Sequence, residues 1–323
     1  MEKRVIGIDV GGTNLRGALV DQNGKILRRE KIASEAHDGI EAVVENLVGL
    51  INKLSEGESP AGVGFGIPAI IDSKNGVITQ APNISKAENY PIRDVLKRKL
   101  GEGPLVIVEN DANCAAVGEW WLGAGKEVGS LVMLTLGTGV GGGIILDGKL
   151  WRGADGMGGE IGHTKIYPDG AKCNCENYGC LEIYSSASAI RRMVGDILED
   201  PKVETVLTEE VKGIDPGRIP EVVSKAALGG DEASLGIWDE FGKALGIGIA
   251  NVVNILNVEM VVIGGGVSQG WEMFIDRTRS ELKKRGLKAP AERVRIMRSV
   301  LGDDEGIIGA AYLVLNAGDS NGG

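Results

Sequence analysis

Histidine and long apolar runs are scarce in this chain, and each shortage removes a class of function. Only two histidines, His37 and His163, occur among the 323 residues, so histidine-based chemistry has few candidates. No apolar run reaches the roughly 20 residues that a membrane-spanning helix needs. Met1–Arg4 lead directly into a short apolar segment, without the longer apolar region and cleavage site of a signal peptide. We therefore expect a cytoplasmic protein with no membrane partner.

Basic residues are also fewer than acidic residues in this chain. The chain has 35 lysine and arginine residues against 45 aspartate and glutamate residues, which gives a formal net charge of −10. This balance disfavours nucleic-acid binding, although it is compatible with a local basic patch. The 43% of hydrophobic and 25% of charged residues are ordinary for a soluble globular protein. We expect about two medium domains and no nucleic-acid partner.

Glycine is the residue in excess. There are 51 glycines among 323 residues, or about 16%, against a typical fraction of about 7%. They cluster directly after apolar segments, at Gly11–Gly12 and at residues 137–143 and 264–266. Glycine-rich turns leave backbone N–H groups accessible to an anion. The clusters are therefore candidate phosphate-binding loops, and their lack of a period excludes a collagen-like chain.

Hydrophobic periodicity predicts an alternation of strands and helices that occurs twice along the chain. Three strands are followed by helix, strand, helix, strand and helix, and the same order returns after residue 130, with an insertion after its third strand. The predicted strands are 4–10, 15–20, 25–32, 61–67, 104–109, 130–136, 140–146, 149–151, 258–263 and 294–298, and the predicted helices are 39–54, 91–100, 114–122, 237–256, 271–284 and 305–315.

The two halves also match residue by residue. Asp9–Thr13 aligns with Thr135–Gly139, and the alignment continues without a gap until Asp21 meets Asp147. Such a repeat implies two similar lobes with a cleft between them and a glycine-rich turn on each side. The alternative is a chance likeness of two glycine-rich hairpins, but the repeated element order argues against it. We expect a duplicated α/β fold.

Asp111, in the stretch Asn110-Asp111-Ala112-Asn113, is the candidate for catalysis. It follows an apolar strand pattern and precedes a helix pattern. Ligands of α/β proteins usually bind where parallel strands end. The alternative is structural, because aspartate is also a favoured N-cap of a helix.

A second constellation has the composition of a metal site. His163, Cys173, Cys175 and Cys180 lie within 18 residues of one another. Four nitrogen and sulfur ligands suit a tetrahedral, structural Zn²⁺ ion, and disulfides are disfavoured in the cytoplasm. Cys114 lies apart from this cluster, and we expect it to be a small core residue.

Four motifs occur in the order typical of one known family. They are Asp9–Arg16, Asn110–Asn113, Leu136–Gly143 and the segment Cys173–Glu182 with its three cysteines. The chain resembles the ROK family of sugar kinases, and within it the bacterial ATP-dependent glucokinases, from Val5 to about Leu315. The resemblance implies the duplicated actin/hexokinase-like (ribonuclease H-like) fold. It also implies transfer of the ATP γ-phosphoryl group to the 6-hydroxyl of glucose.

The resemblance assigns the nucleotide to the glycine-rich loops. Two loops would bind the ATP phosphates, Asp9 would hold Mg²⁺ through water, and a third loop would pack beside the adenosine. The residues concerned are Asp9, Gly11, Gly12, Thr13 and Asn14 in the first loop, Gly137, Thr138 and Gly139 in the second, and Gly264, Gly265 and Gly266 in the third. An ordinary hairpin turn would explain Gly11 and Gly12, but not an aspartate at the end of a buried strand.

The resemblance also implies a sugar site in which Asp111 is the catalytic base. Its substrate-binding residues would be Gly66, Asn83, Asn110, Asp111, Glu160, His163 and Glu182. For the two glutamates, the alternative is solvated surface charge. This sequence departs from the family pattern at Glu176, where a glycine commonly follows the second cysteine. It departs again after Asn83, where Ile84–Tyr90 replaces a turn that often contains glycine and tryptophan.

Further expectations concern organisation and rival functions. We expect a small lobe of residues 1–111 plus 304–323, a large lobe of residues 112–303, and a homodimer or dimer of dimers. Within the family, the rivals are an N-acetylmannosamine or fructose kinase and a sugar-responsive regulator. Regulators carry a helix-turn-helix before the first loop, whereas only eight residues precede Asp9 here. The zinc cluster and Asn110–Asp111 argue against a non-catalytic or protein-folding ATPase.

Overall fold

Two five-stranded sheets form the framework of the protein in a computed structural model that describes residues 3–101 and 103–317. The strands are β1 Arg4–Val10, β2 Asn14–Asp21, β3 Ile26–Ala33, β4 Gly62–Ile67, β5 Ile70–Asp72, β6 Val77–Gln80, β7 Leu105–Asn110, β8 Leu131–Leu136, β9 Val140–Leu146, β10 Lys149–Trp151, β11 Met260–Gly264 and β12 Arg295–Arg298. The helices are α1 Ile40–Leu54, α2 Ile92–Leu100, α3 Asp111–Trp121, α4 Ala187–Leu198, α5 Leu207–Glu210, α6 Ile219–Leu228, α7 Glu232–Leu256, α8 Trp271–Arg285, α9 Lys288–Arg293 and α10 Glu305–Leu315.

The two sheets have equivalent strand orders. The first is β3-β2-β1-β4-β7 and the second is β10-β9-β8-β11-β12, so the third strand of each half (β3 or β10) lies at one edge and its last strand (β7 or β12) at the other. In the first sheet, β1 pairs antiparallel with β2 and parallel with β4, and β4 pairs parallel with β7. The same topology in both halves confirms the predicted duplicated α/β fold.

The first compact unit comprises the described residues of Met1–Met133, Gly143–Gly159 and Ser299–Gly323. Alternation along β1 supplies both of its cores. Ile6 and Ile8 pack with α1 and α2 on one face, whereas Val5 packs with α10 on the other. A Cβ atom at Gly7 would lie 2.1 Å from the carbonyl oxygen of Ile307, so this glycine lets the backbone of α10 approach the sheet.

The second unit comprises Leu134–Gly142 and Glu160–Arg298. Helices α7 and α8 pack closely there because two glycines one turn apart lie on the shared face. A Cβ atom at Gly242 would lie 2.7 Å from the carbonyl oxygen of Phe274, and one at Gly246 would lie 2.6 Å from that of Thr278. A larger side chain at either position would force the two helices apart.

The predicted element types agree with the structure, and their ends differ by a few residues. Helix α3 begins at Asp111 instead of residue 114, and α7 begins at Glu232 instead of residue 237, because each has a capping side chain before the predicted start. Asp231 caps α7 by accepting the backbone N–H of Ser234 at 2.9 Å. The hairpin β5–β6 and the helices α4, α5, α6 and α9 had not been predicted.

The predicted lobe limits, residues 1–111 with 304–323 and residues 112–303, remain a prediction.

Within the described residues, no helix combines the length and apolar character that a bilayer crossing requires.

Candidate active site

The junction between β7 and α3 places Asp111 at the first position of a helix. The N-cap is Asn110, whose Oδ1 accepts the backbone N–H of Asn113 at 3.1 Å. Asp111 Oδ1 accepts the backbone N–H of Ala112 at 2.9 Å. The alternative in which Asp111 is the N-cap is therefore wrong, because the preceding asparagine makes that hydrogen bond.

A buried carboxylate that had not been predicted supports this junction. Glu109 is 2% exposed, and its Oε1 accepts the backbone N–H of Asn110 and the side-chain amide of Asn113, both at 3.0 Å. The Nε atom of Arg152 donates to its Oε2 at 2.6 Å. A buried charge requires such partners. In the sequence, the only indication of this buried carboxylate was a glutamate at the end of an apolar strand pattern.

Gly66 and Asn83, predicted to line the sugar site, differ in their surroundings. A Cβ atom at Gly66 would lie 3.1 Å from Cys114 Sγ and 3.2 Å from the Cα atom of Asp111, so packing alone requires a small residue there. Asn83 is exposed in a turn. Asn110 Nδ2 donates to the carbonyl oxygen of Ala69 at 3.2 Å, which fixes the orientation of its amide. The sugar contacts of these residues remain predictions.

The first glycine-rich loop, Gly11–Asn14, follows Asp9. Gly11 N–H donates to the carbonyl oxygen of Asn14 at 2.9 Å, which closes the turn. No heavy atom lies within 4 Å of the position that a Cβ atom would take at Gly12, and Gly12 and Thr13 are exposed. Packing among the described residues therefore does not explain Gly12, whereas close approach of a phosphate would.

Asp9 lies at the carboxyl end of β1 beside an arginine. Its Oδ2 accepts from Arg16 at 2.6 and 3.2 Å, and Arg16 also contacts Asp303 at 2.8 Å. Burial raises the pKa of Asp9, and Arg16 opposes that shift. Burial also raises the pKa of the Cys114 thiol, and the carboxylates of Glu109, Asp111 and Asp9 add to this effect. Asp9 and Asp111 are thus close enough to act electrostatically on one side chain.

The second glycine-rich loop, Gly137–Gly139, joins β8 to β9. Gly137 N–H donates to the carbonyl oxygen of Gly139 at 3.0 Å, and Thr138 is exposed. The space around the Cβ position of Gly137 is open, as it is at Gly12. Gly137 aligns with Gly11, where a Cβ atom would lie 3.1 Å from the carbonyl oxygen of Asn14, so the two loops differ in their local surroundings.

The third glycine cluster follows β11. A Cβ atom at Gly265 would lie 2.5 Å from the carbonyl oxygen of Leu136, and Gly265 has a φ of +80°, so backbone and packing both require glycine. No heavy atom of the described residues lies within 4 Å of the Cβ position of Gly266. Packing therefore explains Gly265, and the nucleotide contact predicted for residues 264–266 stays a prediction.

His163, Cys173, Cys175 and Cys180 converge as predicted. Their ligand atoms lie within 4.8 Å of one another, with 3.8 Å between Cys173 Sγ and His163 Nδ1 and 3.6 Å between Cys175 Sγ and Cys180 Sγ. A tetrahedral zinc ion with Zn–S bonds of about 2.3 Å separates its sulfur ligands by about 3.8 Å. The donor set and its spacing therefore fit zinc.

A lysine accompanies the thiols of this Cys₃His cluster. Lys165 Nζ lies 3.0 Å from Cys180 Sγ and 2.8 Å from the carbonyl oxygen of His163. Its hydrogen bond with Cys180 raises the pKa of Lys165. Three thiolates around a bound divalent ion would leave one negative charge, which this ammonium group is placed to compensate.

The two predicted sugar-binding glutamates flank the cluster. Glu160 is exposed, yet partial desolvation raises the pKa of its carboxyl group, which the neighbouring His163 opposes and Glu182 reinforces. Glu182 Oε2 accepts the backbone N–H of Val140 at 3.0 Å, and its Oε1 lies 3.9 Å from Cys173 Sγ. Glu182 therefore interacts with its surroundings and is not merely a solvated surface charge.

Comparison with known proteins identifies relatives along nearly the whole chain. The family model that matches is that of the ROK family, over residues 5–317. The glucokinase of Thermotoga maritima is 36% identical over 311 residues, which are 96% of this chain and 97% of that protein. The xylose repressor of Caldicellulosiruptor bescii is 34% identical over 322 residues, 97% of this chain and 78% of that protein.

A solved structure extends the similarity to the fold. The ROK family glucokinase from Streptomyces griseus, in complex with glucose and AMPPNP, has a TM-score of 0.82 and 33% identity, covering 96% of this chain and 98% of that chain. The duplicated sheet, the two glycine-rich loops and the Cys₃His cluster all lie in the matched region. The chain therefore belongs to the ROK family.

Proposed function

We propose that this protein is a glucokinase, which transfers the γ-phosphoryl group of ATP to the 6-hydroxyl of glucose. The observation that carries the proposal is the Asp111 carboxylate, placed where β7 ends and not required as the N-cap of α3. The relatives named glucokinase support the choice of reaction, because they match this chain at 33–36% identity along almost its full length.

In this proposal Asp111 accepts the proton of the sugar 6-hydroxyl as the oxygen attacks phosphorus. Glucose hydroxyls bind to Asn110, Glu160, His163 and Glu182, with Gly66 and Asn83 lining the site. His163 presents Nδ1 to the cysteine thiols, and its Nε2 is the atom that can bond to the sugar. An aspartate can serve at its ordinary low pKa, because the hydroxyl needs to lose its proton only as the new bond forms.

The nucleotide is assigned to the glycine-rich loops. The phosphates of ATP bind at Gly11–Asn14 and Gly137–Gly139, whose Gly12 and Gly137 have open Cβ positions, and the adenosine lies beside residues 264–266. Mg²⁺, when bound with ATP, would neutralise phosphate charge, and Asp9 would hold it through water. Positioning and charge stabilisation account for most of such a phosphoryl transfer.

A coupled assay over a sugar panel tests the function. The purified protein is given glucose, N-acetylmannosamine, N-acetylglucosamine, fructose or xylose, with ATP, ADP or polyphosphate as donor. We expect the highest kcat/KM with glucose and ATP. A preference for N-acetylmannosamine or fructose would assign the rival kinase activity. Sugar binding without ATP consumption would indicate a regulator, which the similarity to a xylose repressor keeps as the second candidate.

The substitution Asp111→Asn tests the catalytic base. It keeps the size of the side chain but removes the proton acceptor, and loss of a general base typically lowers turnover by about 10²- to 10⁴-fold. We expect kcat to fall in this range while the Kd for glucose changes little. Near-normal turnover of the variant would remove Asp111 from the catalytic role.

We also propose that the Cys₃His cluster binds one structural Zn²⁺ ion, since four protein ligands leave no open coordination position. Metal analysis of purified protein should give about one zinc per chain, and a ratio near zero would contradict this assignment.

We further propose that the protein is a cytoplasmic homodimer or dimer of dimers. Sedimentation velocity measures the oligomeric state.

A further inference from the structure

The tip of the second phosphate loop is shaped by the side chain of Glu182. Val140 N–H donates to Glu182 Oε2 at 3.0 Å, at the point where the loop enters β9. A Cβ atom at Gly139 would lie 2.1 Å from the same oxygen. The φ angle of Gly139 is outside the left-handed region, so its backbone alone does not require glycine. A side chain at position 139 would therefore displace the Glu182 carboxylate from the position in which it accepts Val140 N–H.

Glu182 is in turn held by the segment that carries the cysteines. It lies in a single turn of 3₁₀ helix, Leu181–Ile183, which begins directly after Cys180. Its Oε1 is 3.9 Å from Cys173 Sγ. Leu181 N–H donates to the carbonyl oxygen of Thr164 at 2.9 Å, and the Leu181 side chain is fully buried. The position of the Glu182 carboxylate thus depends on the fold of the segment Cys173–Glu182, which we call the Cys₃His segment.

The same segment also contacts the start of the loop. Ala187 N–H, at the first position of α4, donates to the carbonyl oxygen of Gly137 at 2.8 Å. Residues 180–187 therefore contact the loop at both of its ends, through Glu182 at Val140 and through Ala187 at Gly137. A change in the Cys₃His segment would displace both contacts together.

We infer that Glu182 is a positioning residue for the second phosphate loop and that it couples metal loading of the Cys₃His cluster to nucleotide binding. This inference rests on the proposed function, because it takes residues 137–139 as the phosphate site. It adds a second role to Glu182: one carboxylate oxygen fixes the loop, which leaves the other for the sugar. Metal in the cluster then stabilises the loop geometry that binds ATP, without any contact between metal and nucleotide.

Titration of AMPPNP with Mg²⁺ by calorimetry, in the absence of glucose, tests the coupling. Four samples are compared: wild type and Glu182→Ala, each loaded with zinc or depleted by a chelator. Loss of one hydrogen bond to a charged acceptor should weaken binding by at least about tenfold. We expect this loss in the zinc-loaded variant and in depleted wild type, and little further loss in the depleted variant, because both changes remove the same constraint.

Matched variants separate positioning from general damage. Glu182→Gln retains an oxygen acceptor for Val140 N–H and should recover most of the AMPPNP affinity. Gly139→Ala places a methyl group against the Glu182 carboxylate and should weaken AMPPNP binding on its own, but less in the Glu182→Ala background. Glu209→Ala removes a carboxylate that is 76% exposed and should leave the Kd unchanged. Zinc content and circular dichroism of each variant establish that it is folded and loaded.

Two results would overturn the inference, and they differ from failure of the proposed function. Zinc-loaded Glu182→Ala that binds AMPPNP as tightly as wild type would show that the carboxylate does not position the loop. Losses from depletion and substitution that multiply independently would show that metal and Glu182 act separately. Wild type that binds no AMPPNP at all would refute the proposed function, and this inference with it.

Discussion

The hydroxyl of Ser299 lies between two carboxylates, and this geometry predicts that one of them is protonated. Its Oγ is 2.6 Å from Glu305 Oε2 and 2.7 Å from Glu119 Oε1. A hydroxyl has one proton and cannot donate to both. Glu119 Oε1 also accepts the backbone N–H groups of Val300 and Leu301, at 3.1 and 2.9 Å, so Glu119 keeps an acceptor role whichever carboxylate the hydroxyl proton faces. When Glu305 is protonated, its carboxyl group can donate to Ser299 Oγ and leave the hydroxyl proton for Glu119, whereas ionised Glu305 competes with Glu119 for that one proton.

The electrostatic surroundings of Glu305 agree with this assignment. Burial raises its pKa from 4.5 to about 7; the hydrogen bond with Ser299 opposes that shift, and the carboxylates of Glu119 and Asp9 add to it. Because the pKa is higher in the folded state, the group stabilises the fold fully below pH 4.5, and that stability is lost as pH rises to about 7. At about 1.4 kcal/mol per pKa unit, the loss between pH 5 and pH 8 is about 2–3 kcal/mol.

The substitution Glu305→Gln should remove this pH dependence. A glutamine amide can donate to Ser299 as the protonated carboxyl does, but it never becomes charged. Urea unfolding of variant and wild type is compared at pH 5 and at pH 8, so that titrations common to both cancel. The free energy of unfolding of the variant, relative to wild type, should rise by about 2–3 kcal/mol from pH 5 to pH 8.

A control and a refuting result complete this test. Glu127→Gln changes an exposed carboxylate of the same unit, which loses little hydration on folding, so its difference from wild type should be the same at both pH values. If Glu305→Gln also showed a constant difference, the proton would not reside on Glu305. A variant that was less stable relative to wild type at pH 8 than at pH 5 would reverse the sign and refute the electrostatic reasoning.

Two further substitutions test contacts near the candidate site. Arg152→Met should lower the free energy of unfolding, measured in urea, by about 2–3 kcal/mol, because it leaves the buried Glu109 carboxylate without its charged partner. The double variant with Glu109→Gln should recover part of the lost stability. A double variant as unstable as Arg152→Met alone would contradict the role of this ion pair. Glu176 has a φ of +68°, which costs a non-glycine residue roughly 1–2 kcal/mol. Glu176→Gly should therefore slow zinc release to a chelator, and faster release would argue against strain in this turn.

Regular periodicity made much of the fold predictable. The bounds predicted for β1, β9, β10 and α10 match the structure, since each segment is delimited by glycine, aspartate or a change of polarity. The duplication was visible because both halves keep one element order. The helices α4, α5 and α6 lie in an insertion with no counterpart in the first half, so the repeat gave no guide there.

Buried charge could not be predicted in the same way. Glu109 and Arg152 are 43 positions apart, and Glu119 and Ser299 are 180 positions apart. A glutamate in a sequence is by default a solvated residue, and only the tertiary fold reveals which one has buried donors around it. The Cys₃His cluster was predictable because its ligands are close in sequence and chemically distinctive. The contact of Glu182 with the second loop was not, because nothing in the spacing links position 182 to Val140.

Helix capping and proton transfer were competing explanations for the carboxylate at position 111. Since Asn110 makes the cap hydrogen bond, the structural contributions of Asp111 include the hydrogen bond from Ala112 N–H and a negative charge in the first turn of α3, the charge being worth about 0.3–1 kcal/mol. The proposed base role corresponds to about 10²- to 10⁴-fold in turnover. The two contributions appear in different measurements. Asp111→Asn should therefore lose at most about 1 kcal/mol of unfolding free energy while nearly all turnover disappears, and a parallel loss of stability would point to a structural role.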